Sequence, residues 1–255
     1  MSSVLNFSLQ GKTAFVTGSS RGIGRSIAIA LAAAGANLVL HGIRLGEAAE
    51  EAIRKTTAAG GRTLWIEGDL AAEGGRSLGE RVLEVCGGVD ILVLNASIQN
   101  KAVWTDISAE ESERHMRANF QASLELIQVL APTMQEKKWG RILAIGSVQQ
   151  IRPHPRMLVY AASKAAQMSM ILNLAKTFAP DGITVNNLAP GVILTDRNNE
   201  ALAEVGYADQ VRQSIPAGFF GEADDCAGAA LLLCSPAGRY ITGQNLFVDG
   251  GMGLP

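Results

Sequence analysis

Short apolar segments alternate with longer helix-like segments along most of the chain, and this alternation constrains the fold more than any other feature. Strands that are apolar on both faces, joined by helices of about ten or more residues, are typical of parallel sheets covered on both sides. The pattern therefore predicts an α/β fold, a doubly wound seven-stranded parallel sheet with helices on both faces. The predicted strands are residues 13–17, 37–41, 62–67, 89–95, 141–146, 183–188 and 245–248.

No shift in composition, low-complexity tract or repeat divides the sequence, so we expect a single domain over residues 1–255. Residues 194–220 break the alternation, since they are polar at first and interrupted by Asn198, Asn199 and Gly206. A long excursion in a compact domain is either a lid over the ligand site or an irregular surface loop. It starts at the carboxyl ends of the strands, where ligands bind in such sheets, which favours a substrate lid.

Charge and cysteine content restrict the partners. The formal net charge of -2 gives no basic surface for nucleic acid and no polybasic segment for an anionic membrane. No apolar run reaches the ~18 residues of a membrane span, and the first residues lack the pattern of a signal peptide. Cys86, Cys226 and Cys234 lack metal-ligand spacing and are expected to be reduced, mostly buried thiols. We therefore expect a cytoplasmic protein that acts on a small molecule and binds no metal.

A glycine-rich segment, residues 17–24 (TGSSRGIG), lies where the first predicted strand meets the first helix. Gly18 permits a tight turn, Gly22 lets a pyrophosphate approach the backbone, and Gly24 lets the helix pack close to the sheet. Free N–H groups at the start of the helix favour an anion. Three glycines at this spacing also occur by chance, and a structural turn is the alternative. The position between strand and helix predicts a dinucleotide site.

The end of the second predicted strand indicates which nicotinamide cofactor is bound. A carboxylate at this position would bind the ribose of NAD and repel the 2′-phosphate of NADP. Residues 40–44 (LHGIR) contain no carboxylate. Arg44 and Arg21 either bind that phosphate through planar guanidinium groups or are ordinary solvated cations. These residues favour NADP over NAD. Asp69, after the third predicted strand, is placed to contact adenine, and a turn-capping aspartate is the alternative.

A tyrosine and a lysine four residues apart, Tyr160 and Lys164, share one face of a predicted helix. A free tyrosine has a pKa of about 10, and a nearby lysine cation favours the phenolate and lowers that pKa. Such a pair can transfer a proton at neutral pH. Ser147 lies thirteen residues before Tyr160, just after the fifth predicted strand. Its hydroxyl either donates to a substrate carbonyl oxygen or only forms a turn.

In the order and spacing of these residues the chain resembles the short-chain dehydrogenase/reductase family, essentially from end to end. The resemblance includes Asn95 and Ala96 after the fourth strand and Asn119 in the following helix. It continues through residues 190–195 (PGVILT), 242–244 (TGQ) and 248–251 (VDGG). It implies a Rossmann-type fold and a homotetramer. It also implies an NADP-dependent oxidoreductase that moves a hydride between nicotinamide and a carbonyl or secondary alcohol.

The resemblance also implies a role for each site residue. Tyr160 would be the general acid in reduction and the base in oxidation, while Lys164 would bind the nicotinamide ribose and lower the tyrosine pKa. Ser147 would polarise the carbonyl, and Asn119 would hold a water molecule between Lys164 and solvent, unless it is a helix-bending structural residue. Thr195 would contact the nicotinamide carboxamide. The expected cofactor contacts are Gly18, Ser20, Arg21, Gly22, Ile23, Gly24, Arg44, Asp69, Leu70, Asn95, Ala96, Tyr160, Lys164, Pro190, Gly191, Val192 and Thr195.

Within the family the chain most resembles 3-oxoacyl-(acyl-carrier-protein) reductases, with three departures. Residues 94–97 read LNAS in place of the usual NNAG, and residues 218–221 read GFFG where the family usually has arginine in the second position. Asp181 stands where a carrier-protein reductase typically has a basic residue, although Lys138 remains at the other basic site. Because an acidic carrier protein docks on positive surface, Asp181 argues against carrier-protein docking.

Residues 152–156 (RPHPR) lie between Ser147 and Tyr160, close to the expected substrate mouth, and make His154 a candidate substrate contact. Their cations favour an anionic substrate such as a keto acid or a phosphate-bearing thioester, and a solvated loop stiffened by proline is the alternative. The sequence thus predicts an NADPH-dependent ketone reductase acting on a 3-oxoacyl thioester or similar. The alternatives are a sugar, polyol or hydroxysteroid dehydrogenase with the same residues, and a nucleotide-binding protein without turnover.

Overall fold

The computed structural model describes residues 6–196, 198 and 206–254. Its strands are β1 (Thr13–Val16), β2 (Asn37–Gly42), β3 (Thr63–Glu67), β4 (Ile91–Leu94), β5 (Gly140–Ile145), β6 (Ile183–Pro190), β7 (Ile193–Leu194), β8 (Gly221–Glu222) and β9 (Asn245–Val248). Seven of them form one parallel sheet in the order β3-β2-β1-β4-β5-β6-β9. The predicted seven-stranded, doubly wound sheet is confirmed.

Helices cover both faces of this sheet. They are α1 (Gly22–Ala33), α2 (Glu47–Ala59), α3 (Gly74–Cys86), α4 (Ala109–Met116), α5 (Ala122–Glu136), α6 (Leu158–Phe178), α7 (Tyr207–Gln213) and α8 (Ala223–Cys234). Side chains of the central strands alternate between the faces. Phe15 joins the core beneath α3, α5 and α6, whereas Ala14 and Val16 join the core beneath α1 and α8. A strand covered on both faces favours apolar residues at successive positions, which explains the mostly apolar runs, although β6 also carries the buried polar residues Thr184, Asn186 and Asn187. No described helix is long and apolar enough to cross a membrane.

The strand order changes direction between β1 and β4. From β1 the sheet continues through β2 to β3, and from β4 it continues through β5 and β6 to β9. In open α/β sheets, ligands bind in the crevice outside the carboxyl ends of the strands at such a point. The glycine-rich residues 17–24 leave β1 here, and Asn95 follows β4 on the other side.

A second, two-stranded parallel sheet pairs Ile193 with Gly221 and Leu194 with Glu222. The sequence pattern did not predict this sheet, because strands of two residues carry no detectable periodicity. It joins the two ends of the predicted lid, of which residues 197 and 199–205 lie outside the described part of the chain. The end of the predicted lid is anchored, because Ile215 is buried and the N–H of Ala217 donates to the Gly250 carbonyl oxygen at 3.0 Å.

Candidate active site

A cleft of about 640 Å³ opens at the carboxyl ends of β1, β4, β5 and β6. The structure brings all the predicted cofactor contacts to its walls except Arg44 and Lys164. Ser147, Tyr160 and His154 line the same cleft. The described residues contain no group of three or more His, Cys, Asp and Glu side chains that could hold a metal ion.

The glycine-rich turn packs against the residues that follow β4. Gly18 has a φ of +61°, and a Cβ there would lie 2.9 Å from the Cα of Ala96, so both the backbone conformation and the space require glycine. A Cβ at Gly24 would overlap the side-chain nitrogen of Asn95. Gly24 therefore permits the close approach of α1 to the sheet, as the sequence predicted.

Asn95 and Thr17 join the two strand ends that flank the crevice. The Asn95 Nδ2 donates to the carbonyl oxygens of Thr17 and Gly18, each at 2.9 Å. The Thr17 hydroxyl accepts from the N–H groups of Asn95 at 2.9 Å and Ala96 at 3.0 Å. Asn95, a predicted cofactor contact, thus also fixes the glycine turn relative to β4.

His41, at the end of β2, is a residue of this site that the sequence pattern did not indicate. Its Nδ1 accepts from the N–H of Gly18 at 3.1 Å, so the ring proton lies on Nε2, which donates to the Gly68 carbonyl oxygen at 3.0 Å. The side chain is 2% exposed, and burial lowers the pKa of His41 to about 4. The imidazole is therefore neutral at neutral pH, as its bond to Gly18 requires. A histidine inside an apolar strand was the one signal in the sequence.

The first turn of α1 is suited to an anionic ligand. No described side chain caps it and it contains no acidic residue, so its first N–H groups remain for a ligand. Arg21 lines the cleft with its Nη1 3.4 Å from the Asp196 carboxylate, and both side chains are two-thirds exposed. Arg44 is exposed and lies just beyond the cleft wall, next to Ile43, which is part of it. The glycine turn, the uncapped helix start and Arg21 fit a phosphate-bearing dinucleotide.

Asp69 caps a turn and also lies in the cleft wall, so the turn-capping alternative is observed and the adenine contact stays a prediction. It lines the cleft beside Leu70, and its Oδ1 accepts from the N–H of Ala71 at 2.9 Å, which caps the turn after β3. The carboxylate therefore has a fixed orientation at the cleft wall.

Ser147 and Tyr160 come from different elements and lie in one cleft wall. Ser147 follows β5, is 8% exposed and accepts from the N–H of Gln149 at 3.2 Å. Its hydroxyl therefore forms a turn and can still donate its own proton to a substrate oxygen. Tyr160 lies in the first turn of α6 and is 6% exposed. The structure brings together a hydroxyl donor and a phenol at the same surface.

Lys164 lies one helical turn beyond Tyr160, behind the cleft wall, and is 1% exposed. Its Nζ donates to the Ile145 carbonyl oxygen at 2.7 Å and to the Gln167 Oε1 at 3.1 Å. The Gln167 Nε2 donates to the Ser123 hydroxyl at 2.9 Å. The sequence analysis identified neither Gln167 nor Ser123, although polar residues in the apolar stretches of α6 and α5 were a visible signal.

Asn119 lies in a wider helical turn, Arg117–Gln121, that connects α4 to α5. Such π-type turns are frequent at functional sites. The Asn119 amide donates to the Ile98 carbonyl oxygen at 3.0 Å and to the Ser163 hydroxyl at 2.9 Å, and it accepts from the Ile98 N–H at 2.9 Å. Its backbone carbonyl accepts from the Ser123 hydroxyl at 3.2 Å. Asn119 is fully buried, does not line the cleft, and fixes the segment after β4 that does.

Of the basic residues predicted at the substrate mouth, Arg152 and His154 line the cleft and Arg156 does not. Arg152 lines the cleft, and its Nη1 donates to the carbonyl oxygens of Met252 at 2.6 Å and Ser214 at 3.5 Å. Arg156 is exposed and is not part of the cleft wall. Lys101, which the sequence analysis did not identify, lines the cleft together with His154.

Comparisons with known proteins agree with this site. Residues 18–253 match the family described as Enoyl-(Acyl carrier protein) reductase. The chain is 38% identical over 248 residues to the 3-oxoacyl-(acyl-carrier-protein) reductase FabG of Escherichia coli (strain K12), covering 97% of this chain and 99% of that protein. It is 36% identical over 248 residues to 3beta-hydroxysteroid dehydrogenase 1 of Eggerthella lenta, covering 96% and 95%.

A solved structure has the same fold over nearly the whole chain. The crystal structure of a 3-oxoacyl (acyl-carrier-protein) reductase from Agrobacterium tumefaciens C58, with NADP bound, superposes with a TM-score of 0.92 at 38% identity. The superposition covers 98% of this chain and 97% of that one. The chain belongs to the short-chain dehydrogenase/reductase family of oxidoreductases.

Proposed function

We propose that the protein reduces a ketone to a secondary alcohol with NADPH, and that Tyr160 is the general acid. The observation that carries this proposal is that Ser147 and Tyr160 line the same cleft as the glycine turn. When bound, NADPH supplies the hydride. The NADP-bound relative at 38% identity supports the choice of cofactor, as does the absence of a carboxylate from residues 40–44.

The side chains have distinct roles in the proposed reaction. Ser147 donates a hydrogen bond to the carbonyl oxygen as negative charge develops there, and Tyr160 transfers its phenolic proton to that oxygen. Lys164, one turn along α6, stabilises the phenolate that remains. Its bonds to two neutral acceptors, the oxygens of Ile145 and Gln167, favour the lysine cation inside the protein. Asn119 holds the segment after β4 in position.

Cofactor binding is assigned to three groups of residues. The N–H groups of the glycine turn and of the first turn of α1 would bind the pyrophosphate, and Arg21 with Arg44 would bind the 2′-phosphate. Asp69 and Leu70 would contact the adenine, and Asn95 with Ala96 would lie beside the ribose. The remaining contacts would come from the loop after β6, namely Pro190, Gly191, Val192 and Thr195.

The experiment that tests the proposal is a ketone panel assayed for NADPH consumption, with Tyr160→Phe as the principal variant. We expect Tyr160→Phe to lower kcat by about 10²–10⁴ while the Kd for NADPH stays nearly unchanged. Tyr240→Phe is the matched control, because Tyr240 is 99% exposed and does not line the cleft. Wild-type turnover by Tyr160→Phe would exclude the assigned acid. Tight NADPH binding with no turnover of any ketone or alcohol would indicate a nucleotide-binding protein instead.

For a 3-oxoacyl thioester substrate, the surface around Lys138 and Asp181 favours delivery without a carrier protein. Lys138, the remaining basic residue of the expected docking surface, forms an ion pair with Asp181. A hydrogen bond from Gln135, followed by the one from Lys138, lowers the pKa of the Asp181 carboxyl, so it is ionised at neutral pH. An acidic carrier protein would meet a paired cation and a carboxylate here, which supports delivery without a carrier protein.

A steroid or sugar dehydrogenase running toward oxidation is the second candidate. The relative named as a 3beta-hydroxysteroid dehydrogenase favours it, at 36% identity over 96% of this chain. A steroid or polyol panel with NADP⁺, run beside the ketone panel, compares the two candidates directly. A higher kcat/KM for any steroid or polyol than for every ketone would favour oxidation.

Assembly, lid and location complete the proposal. We propose a homotetramer, in line with the family resemblance, and the exposed apolar side chain of Leu246 on the edge strand β9 is consistent with a subunit contact. Tyr207, Gln210 and Val211 of α7 line the cleft, which supports a substrate lid in this segment. The cysteines are free thiols, which supports a cytoplasmic location. Light scattering of the purified protein tests the tetramer.

A further inference from the structure

Basic side chains gather at the substrate end of the cleft. Lys101, Arg152 and His154 all line it. Among the described residues that line the cleft, the carboxylates are Asp69, which follows β3, and Asp196, which pairs with Arg21 beside the glycine turn. No acidic side chain of the described cleft wall therefore neutralises the basic residues at the substrate end.

Lys101 is presented by a segment whose backbone is fixed on both sides. Before it, the N–H of Asn100 donates to the Nε2 of the buried His115 at 3.3 Å. After it, the N–H of Ala102 donates to the Arg156 carbonyl oxygen at 3.0 Å. The Lys101 Nζ lies 5.3 Å from the centre of the Tyr207 ring of α7, and no described residue forms an ion pair with it.

His154 is a hydrogen-bond donor at the same end of the cleft. Its Nδ1 accepts from the N–H of Arg156 at 3.2 Å, so in the neutral ring the proton lies on Nε2. Burial, together with the nearby charges of Lys101 and Arg156, lowers the pKa of His154. The ring is therefore neutral at neutral pH and retains this N–H. The hydrogen bond from the Ala102 N–H to the Arg156 carbonyl oxygen joins the segment that carries Lys101 to the segment that carries His154, and both side chains line the cleft.

We propose that Lys101 and His154 form an anion subsite that binds a carboxylate of the ketone substrate. The inference rests on the proposed function and names its substrate class, which is an oxo acid rather than a neutral ketone. A carboxylate would receive a charge-assisted bond from Lys101 and a second donor from His154. Arg152 adds positive potential nearby, although its Nη1 is engaged by the carbonyl oxygens of Met252 and Ser214.

The subsite is tested by binding to the enzyme–NADP⁺ complex, which cannot reduce a ketone. The ligands are 3-oxohexanoate and 5-oxohexanoate, each compared with its neutral methyl ester by calorimetry. We expect the wild-type protein to bind at least one acid about tenfold or more tightly than its ester, the range of one charge-assisted hydrogen bond. Lys101→Met should remove this preference by weakening the acid while the ester changes by less than about twofold.

Lys176→Met is the matched control, because it removes the same charge from an exposed position on α6 that does not line the cleft. It should retain the preference for the acid. His154→Gln, which keeps a neutral donor, should bind the acid more tightly than His154→Leu. Equal binding of acid and ester, binding of neither, or an equal loss of both ligands in Lys101→Met would overturn the subsite.

Turnover of the same ligands is measured separately with NADPH. If the acids bind preferentially but no ketone is reduced, the anion subsite stands and the proposed function fails. If both acids and esters are reduced with equal kcat/KM and bound with equal affinity, the proposed function stands and the anion subsite fails.

Discussion

The buried ammonium of Lys164 donates a hydrogen bond to the side-chain oxygen of Gln167, 3.1 Å away along α6. Gln167 is fully buried, and its Nε2 donates to the Ser123 hydroxyl. That hydroxyl in turn donates to the Asn119 carbonyl oxygen, which extends the hydrogen-bond chain. The lysine behind the proposed acid is therefore positioned by a chain of side chains that ends at the wide turn between α4 and α5. Gln167 is therefore a positioning residue, which acts on Tyr160 through Lys164.

Replacing Gln167 by leucine removes an acceptor that stabilises the lysine cation. We expect the Lys164 pKa to fall and the stabilisation of the Tyr160 phenolate to weaken, so the tyrosine pKa rises. Oxidation of an alcohol needs the phenolate and increases with pH through the tyrosine pKa. The midpoint of the kcat/KM profile for oxidation should therefore move to higher pH, with a loss of about tenfold at neutral pH.

Ser123→Ala is the control for this shift. It removes the partner of the Gln167 amide but keeps the contact between Lys164 and Gln167, so it should lower the free energy of unfolding by about 1–3 kcal/mol without moving the pH profile. If Gln167→Leu lowers stability and leaves the profile in place, Gln167 is only a structural residue.

The sheet could be predicted because its signal is local. The strands that are covered on both faces are short and mostly apolar, as in residues 91–94 (ILVL), and the glycine turn lies within eight consecutive residues. Most of the remaining site depends on contacts between residues far apart in sequence. His41 meets Gly18 across 23 residues, and Ser123 meets Gln167 across 44. No periodicity or spacing in a single sequence encodes such pairs, so these residues were not identified.

The pH dependence of stability is expected to report on His41. An unfolded histidine has a pKa of about 6.5, whereas burial lowers the folded-state value to about 4. Between these values the unfolded chain binds a proton that the folded protein does not, so the free energy of unfolding falls as the pH decreases. The contribution is fully present above about pH 6.5, and up to about 3 kcal/mol is lost by about pH 4.

Urea unfolding at about pH 7 and about pH 5 measures this loss. His41→Gln removes the titrating group and should flatten the dependence, although it lowers stability at neutral pH by disturbing the bond to Gly18. His154→Gln serves as a comparison, since burial is also the main cause that lowers the pKa of His154, but this side chain is only half-buried and should contribute less to the slope. A wild-type slope retained in His41→Gln would assign the pH dependence to other groups.

Cofactor preference should be switched at Ile43 rather than at the neighbouring glycine. A Cβ at Gly42 would lie 2.7 Å from the Cη2 of Trp65, so an aspartate there would disturb packing as well as charge. Ile43 is 70% exposed and lines the cleft. Two charges about 4 Å apart near a protein surface interact by up to about 4 kcal/mol. Ile43→Asp should therefore lower kcat/KM for NADPH by about tenfold or more and raise it for NADH.

Asparagine is nearly the same size as aspartate but carries no charge. Ile43→Asn should therefore change the ratio of kcat/KM for NADPH to that for NADH by less than about twofold. Steady-state kinetics with both cofactors and one ketone measure the ratio. Equal losses with NADPH and NADH in Ile43→Asp would mean that the 2′-phosphate does not bind at this end of β2.

The ion pair between Asp181 and Lys138 leads to a prediction about carrier proteins. We expect the wild-type enzyme to reduce a 3-oxoacyl group on acyl carrier protein no better than the same group on N-acetylcysteamine, because the docking surface lacks net positive charge. Asp181→Lys should raise kcat/KM for the carrier-bound substrate several-fold, and added salt should remove the gain. Glu51→Lys makes the same charge change at another carboxylate paired with cations and should have no such effect. A wild-type preference of more than about tenfold for the carrier-bound substrate would show that docking does not depend on these two positions.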